Sequence, residues 1–389
     1  MKTLFTFLIC IFIATLASAQ TWSNLNVTLN GSPLAVFVTP QGKVMVAGTG
    51  GLFATSTDDG ETWSQIDASD GEDIEDIHFF NENDGLILIK DAVLLTSDGG
   101  ISFPLIAPLS GEFSDLTFSD ALHGWAVGKD GAVNYTSDGG QSWNNQNAGT
   151  GQDLECIAFA DNTLGLTVGT NSVARLTTNG GSNWSNAGVN GNEDFAAVAF
   201  PDINHAWIAG GGGEIFATTN GGSSWSLQFP PVEEDFLCMS FIDASTGFIG
   251  GDNGTIISTE NGGENWNLNS TTVSERINDI FMLSADHGFA VGDNGTVLRL
   301  GSVSTGIPQS TKSSFTVFPN PSSDRILIEQ KGLRLIRIDL KDLRGDLIQS
   351  MIPAGESSMI SLVNLPNGIY TITCIHADGS RNTSRVVKL

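Results

Sequence analysis

Carboxylate side chains recur at one position of a repeated unit, three residues before the first strand that each unit is expected to form. Five of these seven positions are acidic, and the last is an arginine. If the units close into a ring, these loops surround the mouth of a central channel and form an electronegative face. Such a face suits a basic peptide, a basic protein patch or a divalent cation, and it equally suits a solvated surface without a ligand. The charged positions are Asp73, Glu112, Asp153, Asp194, Asp235 and Arg276.

A second set of polar residues lies in a turn that recurs six times, in the form Thr-Ser-Asp-Gly-Gly-Gln-Ser-Trp at 136–143. A short carboxylate followed by glycines is typical of a turn in which the carboxylate accepts backbone N–H groups. Asparagine replaces aspartate in three copies, a change that a folding role tolerates and an acid catalyst does not. We therefore predict structural and not catalytic roles for Asp59, Asp98, Asp138, Trp63, Trp143, Trp184, Trp225 and Trp266.

The aromatic residue that ends this turn recurs every 40 or 41 residues between Trp63 and Trp266. Each unit has short apolar runs separated by glycine-rich turns, which indicates four strands per unit and the period of a propeller blade. Trp22 precedes Trp63 by one period and begins a lone fourth strand, whereas the unit that begins near Ile277 lacks one. We therefore predict an all-β chain with a closed, seven-bladed β-propeller over 20–303, because closure removes a bare sheet edge.

The repeated turn resembles the Asp-box (BNR) turn. The fuller unit, read over Asp115–Phe118, Gly124–Gly128 and 136–143, resembles the propeller repeats of the photosystem II assembly and stability factor-like family. The resemblance covers Trp22–Leu300 and implies seven blades and a protein-interaction function, not a reaction. We therefore expect a binding module that recognises a protein or peptide partner through its acidic loop face.

Asp-box propellers include sialidases, which need an arginine cluster and a tyrosine nucleophile. The propeller segment has Arg175, Arg276 and Arg299, and its one tyrosine, Tyr135, lies at a packing position of the repeat. The sequence therefore argues against a sialidase. Other glycosidases need only two carboxylates about 5–9.5 Å apart, so a carbohydrate-active hydrolase or a glycan-binding protein remains the alternative.

The sequence predicts no metal centre and no cofactor. It has no cluster of cysteine and histidine with ligand spacing, and the acidic loop at 67–73 lacks the spacing of a 12-residue calcium loop. A bound divalent cation such as calcium is the alternative. His123, His205 and His287 share one loop position and are interpreted as turn residues.

The two ends of the chain predict export. Residues 1–19 have one lysine, an apolar run and an Ala-Ser-Ala end, as in a cleavable signal peptide, and no stretch is long enough to span a bilayer. A linker is predicted at 304–314 and a small Ig-like β-sandwich at 315–389. The Pro319-Asn320-Pro321 opening, the Leu365–Tyr370 turn and the Val386–Leu389 end are similar to the type A C-terminal sorting domain of type IX secretion cargo. That resemblance implies a Bacteroidetes-type host, the secretion translocon as a partner, and a secreted or outer-membrane-surface location in a Gram-negative bacterium.

Charge is divided unevenly between the two parts. Residues 20–311 contain 36 acidic and six basic residues, whereas 312–389 contain seven acidic and ten basic residues. Such a propeller would be repelled by nucleic-acid phosphates and by anionic membrane surfaces. We expect a monomer that binds neither.

Overall fold

The computed structural model describes residues 21–39 and 41–301, together with parts of the C-terminal segment. Those parts are 314–318, 322, 324–331, 335–341, 347–351, 353, 357–363, 365, 366, 368–376 and 381–388. The chain forms two units, 1–303 and 304–389. The predicted signal peptide and residues 304–313 of the predicted linker lie outside the described residues, and Ser314, predicted to end the linker, begins a strand.

The first unit consists of seven four-stranded antiparallel sheets, here called blades 1 to 7. A lone strand, β1 (Trp22–Asn24), comes first in the chain. The strands of blades 1 to 3 are β2 (Pro33–Val38), β3 (Val44–Gly48), β4 (Leu52–Ser56) and β5 (Ser64–Asp67); β6 (Ile74–Phe79), β7 (Gly85–Ile89), β8 (Ala92–Thr96) and β9 (Leu105–Pro108); and β10 (Phe113–Phe118), β11 (Gly124–Gly128), β12 (Ala132–Thr136) and β13 (Asn144–Asn147).

Blades 4 to 7 repeat this order. Their strands are β14 (Leu154–Phe159), β15 (Gly165–Gly169), β16 (Val173–Thr177) and β17 (Ser185–Asn186); β18 (Phe195–Ala199), β19 (Ala206–Gly210), β20 (Ile215–Thr218) and β21 (Ser226–Gln228); β22 (Phe236–Phe241), β23 (Gly247–Gly251), β24 (Ile256–Thr259) and β25 (Asn267–Leu268); and β26 (Ile277–Ser284), β27 (His287–Gly292) and β28 (Thr296–Leu300).

The ring closes through the first strand of the chain. β1 pairs with β28, with Trp22 opposite Leu300, and so supplies the outer strand of blade 7. The first strand of each blade neighbours the first strand of the next, and β2 neighbours β26. The all-β propeller predicted from the sequence is therefore the fold of this unit.

Large aromatic side chains pack between blades. Trp125 of blade 3 is fully buried and stacks on Phe159 of blade 4, with ring centroids 3.5 Å apart. Its indole N–H donates to the backbone oxygen of Gly180 over 3.1 Å. Trp207 and Phe241 repeat this stack between blades 5 and 6, at 3.9 Å. Burial of these aromatic side chains stabilises the contacts between neighbouring blades.

Every inner strand contains a β-bulge close to its start. In blade 2, for example, the register shifts between Ile74 and Asp76, so that Glu75 lacks an opposite residue in β7. A bulge leaves part of the hydrogen-bonding ladder unpaired and redirects side chains. The same shift occurs in the other six blades, after Pro33, Phe113, Leu154, Phe195, Phe236 and Ile277.

Second and third strands are joined by tight turns in which the middle residue has a positive φ, for example Asp130 at 56° and Asn253 at 57°. Aspartate and asparagine adopt this left-handed backbone more readily than most residues. Five of these turns are short 3-10 turns, at Thr49–Gly51, Lys129–Gly131, Gly211–Gly213, Asp252–Gly254 and Asp293–Gly295.

The second unit has two sheets with a common core. Its strands are β29 (Ser314–Phe318), β30 (Arg325–Lys331), β31 (Leu335–Lys341), β32 (Leu347–Met351), β33 (Ser357–Ser361), β34 (Gly368–His376) and β35 (Arg381–Lys388). One sheet has the order β29-β30-β33 and the other β32-β31-β34-β35. Ile326 and Ile360 of the first sheet are buried with Ile338 and Ile372 of the second, as in a β-sandwich. The Ig-like assignment stays a prediction.

Within the part of the chain that the structure describes, no helix has the length and apolar character needed to cross a membrane.

Candidate functional site

The recurrent turn is held by one hydroxyl and one carboxylate, as in blade 3. The Thr136 hydroxyl donates to Asp138 Oδ1 over 2.8 Å and accepts the N–H of Gly140 over 3.0 Å. Asp138 also accepts the N–H and the hydroxyl of Ser142, at 2.9 and 2.6 Å. Desolvation acts to raise the pKa of Asp138, but the hydrogen bonds from Ser142 and Thr136 outweigh it and leave the pKa lowered. The oxygens of this carboxylate are thus occupied by the turn itself.

In three other blades asparagine replaces this aspartate and accepts the equivalent hydrogen bonds of the turn. Asn179 Oδ1 accepts the hydroxyl of Thr177 over 3.0 Å and the N–H of Asn183 over 2.9 Å. Asp98 of blade 2 accepts the Thr96 hydroxyl over 2.8 Å. These contacts are those expected of a turn-holding residue.

Blade 1 contradicts one prediction, because Asp58 and not Asp59 holds its turn. Asp58 accepts the N–H and hydroxyl of Thr62 at 2.8 and 2.6 Å. Asp59 takes the place of the first glycine of the other copies, with φ of 62°. Its carboxylate instead contacts His287 Nε2 at 2.8 Å and Arg299 Nη1 at 3.1 Å, both in blade 7. Asp59 is therefore part of the contact between blades 1 and 7, and its hydrogen bond to His287 raises the pKa of that imidazole.

The tryptophans that end the turns pack against the blades. Trp63 and Trp143 donate their indole N–H to the backbone oxygens of Gly60 and Gly140, at 2.9 and 3.0 Å. Trp266 donates to Gln228 Oε1 over 3.1 Å. The buried indole nitrogens of Trp184 and Trp225 have no hydrogen-bond partner among the described residues, which leaves packing as the role of those two rings.

We expect Thr136→Val to lower the free energy of unfolding by about 1–3 kcal/mol, because it leaves the Gly140 N–H and Asp138 without their buried partner. The measurement is the denaturant midpoint of the full chain. Thr136→Ser is the matched control and should stay near wild type, because Ser56 fills this position in blade 1 and accepts the Gly60 N–H over 2.9 Å. Equal losses in the two variants would contradict this role of the hydroxyl.

Four of the acidic positions predicted at the channel mouth brace the tight turns. Each carboxylate accepts, through Oδ1, a backbone N–H from the turn of the preceding blade over 2.7–2.8 Å. The loops that enter the inner strands and the tight turns therefore lie on the same face. The donor and acceptor pairs are Gly50 with Asp73, Asp130 with Asp153, Asn171 with Asp194, and Gly212 with Asp235.

Glu112 and Arg276 have ionic partners instead. Glu112 lies 2.9 Å from Lys90 and 2.5 Å from Lys129. Arg276 lies 3.6 Å from Asp252. These pairs are solvent-exposed and contribute little to stability, but they neutralise part of the face near blades 2, 3 and 7. Together, the six predicted positions are called the rim. They are Asp73, Glu112, Asp153, Asp194, Asp235 and Arg276.

Beneath the rim, the inner strands of all seven blades line an axial pocket of about 630 Å³. The half-buried carboxyls of Glu75 and Glu155 lie at its entrance, where burial, followed by the charge of Asp73 for Glu75 and of Asp153 for Glu155, raises their pKa. Arg276 is the one lysine or arginine among the described lining residues. The pocket is thus strongly acidic.

Three further carboxyls lie deeper in the axial pocket, at equivalent positions of their blades. Asp76 accepts the Leu116 N–H over 3.2 Å, Asp115 accepts the Ile157 N–H over 2.7 Å, and Asp279 accepts the Val36 N–H over 2.8 Å. Each bond joins a blade to the next. The acceptors satisfy N–H groups of bulged inner strands, so these carboxyls belong to the architecture of the channel.

Confinement alters the protonation of these groups. Burial, then the charges of Asp115 and Asp279, raise the pKa of Asp76 well above its ordinary value. Burial likewise raises the pKa of Asp115, and that of Asp279 to about 7.

The end of the axial pocket farther along the inner strands is aromatic. His78 stacks on Phe118 with ring centroids 4.9 Å apart, and Phe37 lies 5.5 Å from His78 and 5.2 Å from Phe281. Burial lowers the pKa of His78 to about 4, so its imidazole is neutral at pH 7. A ligand that enters from the rim would pass carboxyls first and rings last.

The repeat pattern in the sequence points to the rim positions, whereas it does not mark Asp76, Asp115 or Asp279 as site residues. The available signal was a carboxylate at the same position of three units, directly before an apolar residue of the inner strand. Two other blades have cysteine there, Cys156 and Cys238, whose thiols have a pKa raised by burial.

No group of three or more potential metal ligands occurs within the described residues. In the loop at 67–73, Asp67 Oδ1 accepts the N–H of Gly71 over 3.0 Å, as in a self-capped turn. His123 and His205 each place Nδ1 2.8–2.9 Å from a carboxylate three residues earlier, Asp120 and Asp202. This is the geometry expected of turn residues.

Residues 101–192 and 151–229 match the model described as photosynthesis system II assembly factor YCF48, and residues 316–388 match the secretion system C-terminal sorting domain. The comparison with curated protein sequences gives no match.

Among solved structures, the chain is similar to YCF48 bound to D1 peptide, with 19% identity, a TM-score of 0.62, and coverage of 75% of this chain and 100% of that one. YCF48 from Cyanidioschyzon merolae gives 17% identity, a TM-score of 0.61, and coverage of 73% and 99%. The WD40 β-propeller domain of Doa1 gives 14%, 0.62, and coverage of 73% and 97%. These likenesses confirm the propeller fold. The chain therefore combines a β-propeller that has YCF48-type repeats with a C-terminal secretion sorting domain.

Proposed function

We propose that this chain is a secreted or cell-surface propeller that binds a basic segment of a protein or peptide partner at its rim and axial pocket. The observation that carries this proposal is the axial pocket itself. It is concave, it is lined by every blade, and its carboxyls face a single arginine among the described lining residues. A cationic segment would offset the mutual repulsion of these carboxyls.

The rim is suited to such a partner because its charges are held in place. Asp153, Asp194 and Asp235 are each fixed by a backbone N–H, so little conformational entropy is lost when a ligand contacts them. An acidic face also accelerates the encounter with a basic partner, most strongly at low salt.

The comparisons support a peptide as the class of ligand and export as the destination. The similar YCF48 structure contains a peptide. The sorting-domain match supports passage out of the cell by the type IX pathway, with the predicted signal peptide at 1–19 directing the first step. In this proposal the C-terminal domain is an address that the translocon reads, and the propeller acts as a monomer without a catalytic residue.

The test uses the full chain and fluorescently labelled octalysine, with octaglutamate as the opposite-charge probe, followed by fluorescence anisotropy at 50 and 300 mM salt. We expect octalysine to bind and to lose at least ten-fold in affinity at the higher salt. The variant Asp153→Asn/Asp194→Asn/Asp235→Asn should lower the affinity about ten-fold, because it removes three charges and keeps an oxygen that can accept each turn N–H. Glu75→Gln/Glu155→Gln should act in the same direction at the pocket entrance.

The matched control is Asp120→Asn/Asp202→Asn/Asp243→Asn, which removes three carboxylates from the loops between first and second strands, at the opposite end of the blades. Equal losses in the rim and control variants would show a diffuse charge effect and overturn the assignment to the rim. Incubation of the chain with a polysaccharide panel tests the glycan alternative, since new reducing ends would reveal hydrolysis and retention alone a lectin-like function.

A further inference from the structure

We propose that the edge of blade 5, together with the loop that leads into blade 6, contains a docking groove for one apolar side chain of the basic partner segment, with Phe229 as its wall. The inference rests on the proposed function, because it assigns a sequence preference to the same face. The groove has a volume of about 210 Å³. It is lined by Leu227, Phe229, Pro230, Val232, Glu214 and Glu233, together with the turn at Gly212 and Gly213.

The first observation is the exposure of Phe229. Its side chain is 81% exposed, the highest value among the large apolar residues of the propeller, and Leu227 beside it is 47% exposed. Four residues after the aromatic residue that ends the recurrent turn, five other blades have small or polar residues, namely Asp67, Ala107, Asn147, Gly188 and Ser270. A phenylalanine at this position is therefore not required by the blade. Pro230 and Pro231 follow it and restrict the backbone that presents the ring.

The second observation is the floor of the groove. The tight turn of blade 5 is Gly211-Gly212-Gly213, whereas the corresponding turns of blades 3, 6 and 7 carry side chains such as Asp130, Asn253 and Asn294. The glycine turn leaves bare backbone next to Phe229. At Gly213 a Cβ atom would come within 3.0 Å of the Val232 backbone oxygen, so the turn and the loop that carries Phe229 are in close contact.

The charge around the groove specifies what the apolar side chain belongs to. Glu214 is oriented by the N–H and side-chain amide of Asn192, at 3.0 and 2.8 Å. Glu233 is exposed, and Asp235 is fixed by the Gly212 N–H over 2.7 Å. A wall of apolar side chains between carboxylates complements an extended segment in which an apolar residue alternates with lysine or arginine.

An exposed aromatic side chain in a preformed groove is a typical energetic anchor of a protein interface. The groove opens on the face that carries the rim, because the Asp235 that braces its turn is a rim residue. A segment bound at the axial pocket would therefore continue over blade 5. This placement predicts selectivity among basic peptides, which charge alone would not give.

The test compares two labelled eight-residue peptides of equal charge, one alternating lysine with leucine and the other lysine with serine, on the full chain. We expect the lysine–leucine peptide to bind at least ten-fold more tightly. Phe229→Ser should remove most of that preference and leave the lysine–serine affinity within two-fold of wild type. Ile203→Ser is the matched control: Ile203 is 56% exposed in the same blade, in the loop between its first and second strands, at the opposite end of the sheet.

Each outcome decides the inference. Equal affinity of wild type for the two peptides, or an unchanged preference in Phe229→Ser, would overturn the groove while octalysine binding and the rim variants still support the acidic face. Equal loss of the preference in Phe229→Ser and Ile203→Ser would also overturn it. If wild type binds neither peptide nor octalysine, the proposed function fails as well. The far-ultraviolet spectrum and the thermal midpoint of each variant show that the fold is retained.

Discussion

Trp22→Ala is expected to destabilise the propeller by about 3–5 kcal/mol, the usual cost of deleting a large buried aromatic side chain. Trp22 is fully buried and packs edge-to-face on Phe248, with ring centroids 6.2 Å apart. Its strand joins blade 7 through only three residue pairs. Closure of the propeller therefore depends more on packing of the Trp22 side chain than on the short backbone pairing of β1 with β28. The denaturant midpoint of the full chain, followed through the propeller transition, measures the effect.

The loss should come from packing alone, because the indole N–H of Trp22 has no partner among the described residues. Trp22→Phe is the control, since it keeps a ring in the site and should cost about half as much or less. The closing strand is separated from its partner by the whole propeller in sequence, so no short turn restrains it if the packing fails. If the denaturant midpoint of Trp22→Ala were no lower than that of Trp22→Phe, the backbone hydrogen bonds of β1 and not the packing of the Trp22 side chain would close the propeller.

The architecture was predictable because it is repetitive. A spacing of 40 or 41 residues between aromatic anchors reports the period of a blade, and Trp22 one period ahead of Trp63 indicates how the ring closes. Because the same pattern occurs in every unit, an error in assigning one strand does not change the predicted architecture. The same reasoning placed Asp153, Asp194 and Asp235 on one face, since every unit puts its entry loop in the same place.

Prediction was weaker wherever one copy departs from the pattern. In blade 1 the sequence Asp58-Asp59-Gly60 offers two carboxylates for one role. Asp58 is the one that lies five residues before the tryptophan, as Asp138 does before Trp143, and the φ of 62° at Asp59 shows that Asp59 stands in for glycine. Asp59 then bonds to Arg299, 240 residues away, a contact that no local pattern specifies.

The axial carboxyls escaped prediction for a different reason. Asp76, Asp115 and Asp279 lie in strands that alternate like ordinary half-buried strands, and their partners are N–H groups of the next blade. Those N–H groups are available because each inner strand is the edge strand of its sheet and has no paired strand on that side. A bulge in this position has no distinct residue signature here, since Pro33, Ile74 and Phe113 all precede one.

Rim and pocket together suggest why the acidic charge is concentrated in this unit. Carboxylates that brace turns are needed for folding, and their remaining oxygens still contribute to the field above the channel. The pocket carboxyls link blades and, in the proposed function, also favour a cationic ligand in the channel. One set of residues therefore serves both architecture and the proposed recognition of a basic segment.

Asp279→Asn should make the propeller progressively more stable relative to wild type as the pH rises from 4 to 8. Burial raises the pKa of Asp279 to about 7, against about 3.9 in an unfolded chain. Below pH 4 Asp279 is protonated in both the folded and the unfolded chain, so its burial does not yet lower the free energy of unfolding. As the pH rises, the unfolded chain releases its proton while the folded chain retains it, so the free energy of unfolding of wild type falls. The relative gain of the variant is on the order of 2–4 kcal/mol, because each pKa unit corresponds to about 1.4 kcal/mol.

The difference between the two proteins is the quantity to measure, because other groups titrate in the same range. Burial lowers the pKa of His78 to about 4, so the free energy of unfolding falls as the pH drops below 6.5 and the unfolded chain takes up a proton that the folded chain does not. This pH dependence is opposite to that of Asp279. That term is common to both proteins and cancels in their difference. Asp161→Asn is the control: hydrogen bonds from Leu164 and Thr163 lower the Asp161 pKa, so its stabilising effect is lost only as the pH falls below 4, and its difference from wild type should be flat between pH 4 and 8. An equally flat difference for Asp279→Asn would show that the axial carboxyl ionises as an ordinary aspartate and that the channel is not the confined acidic site described above.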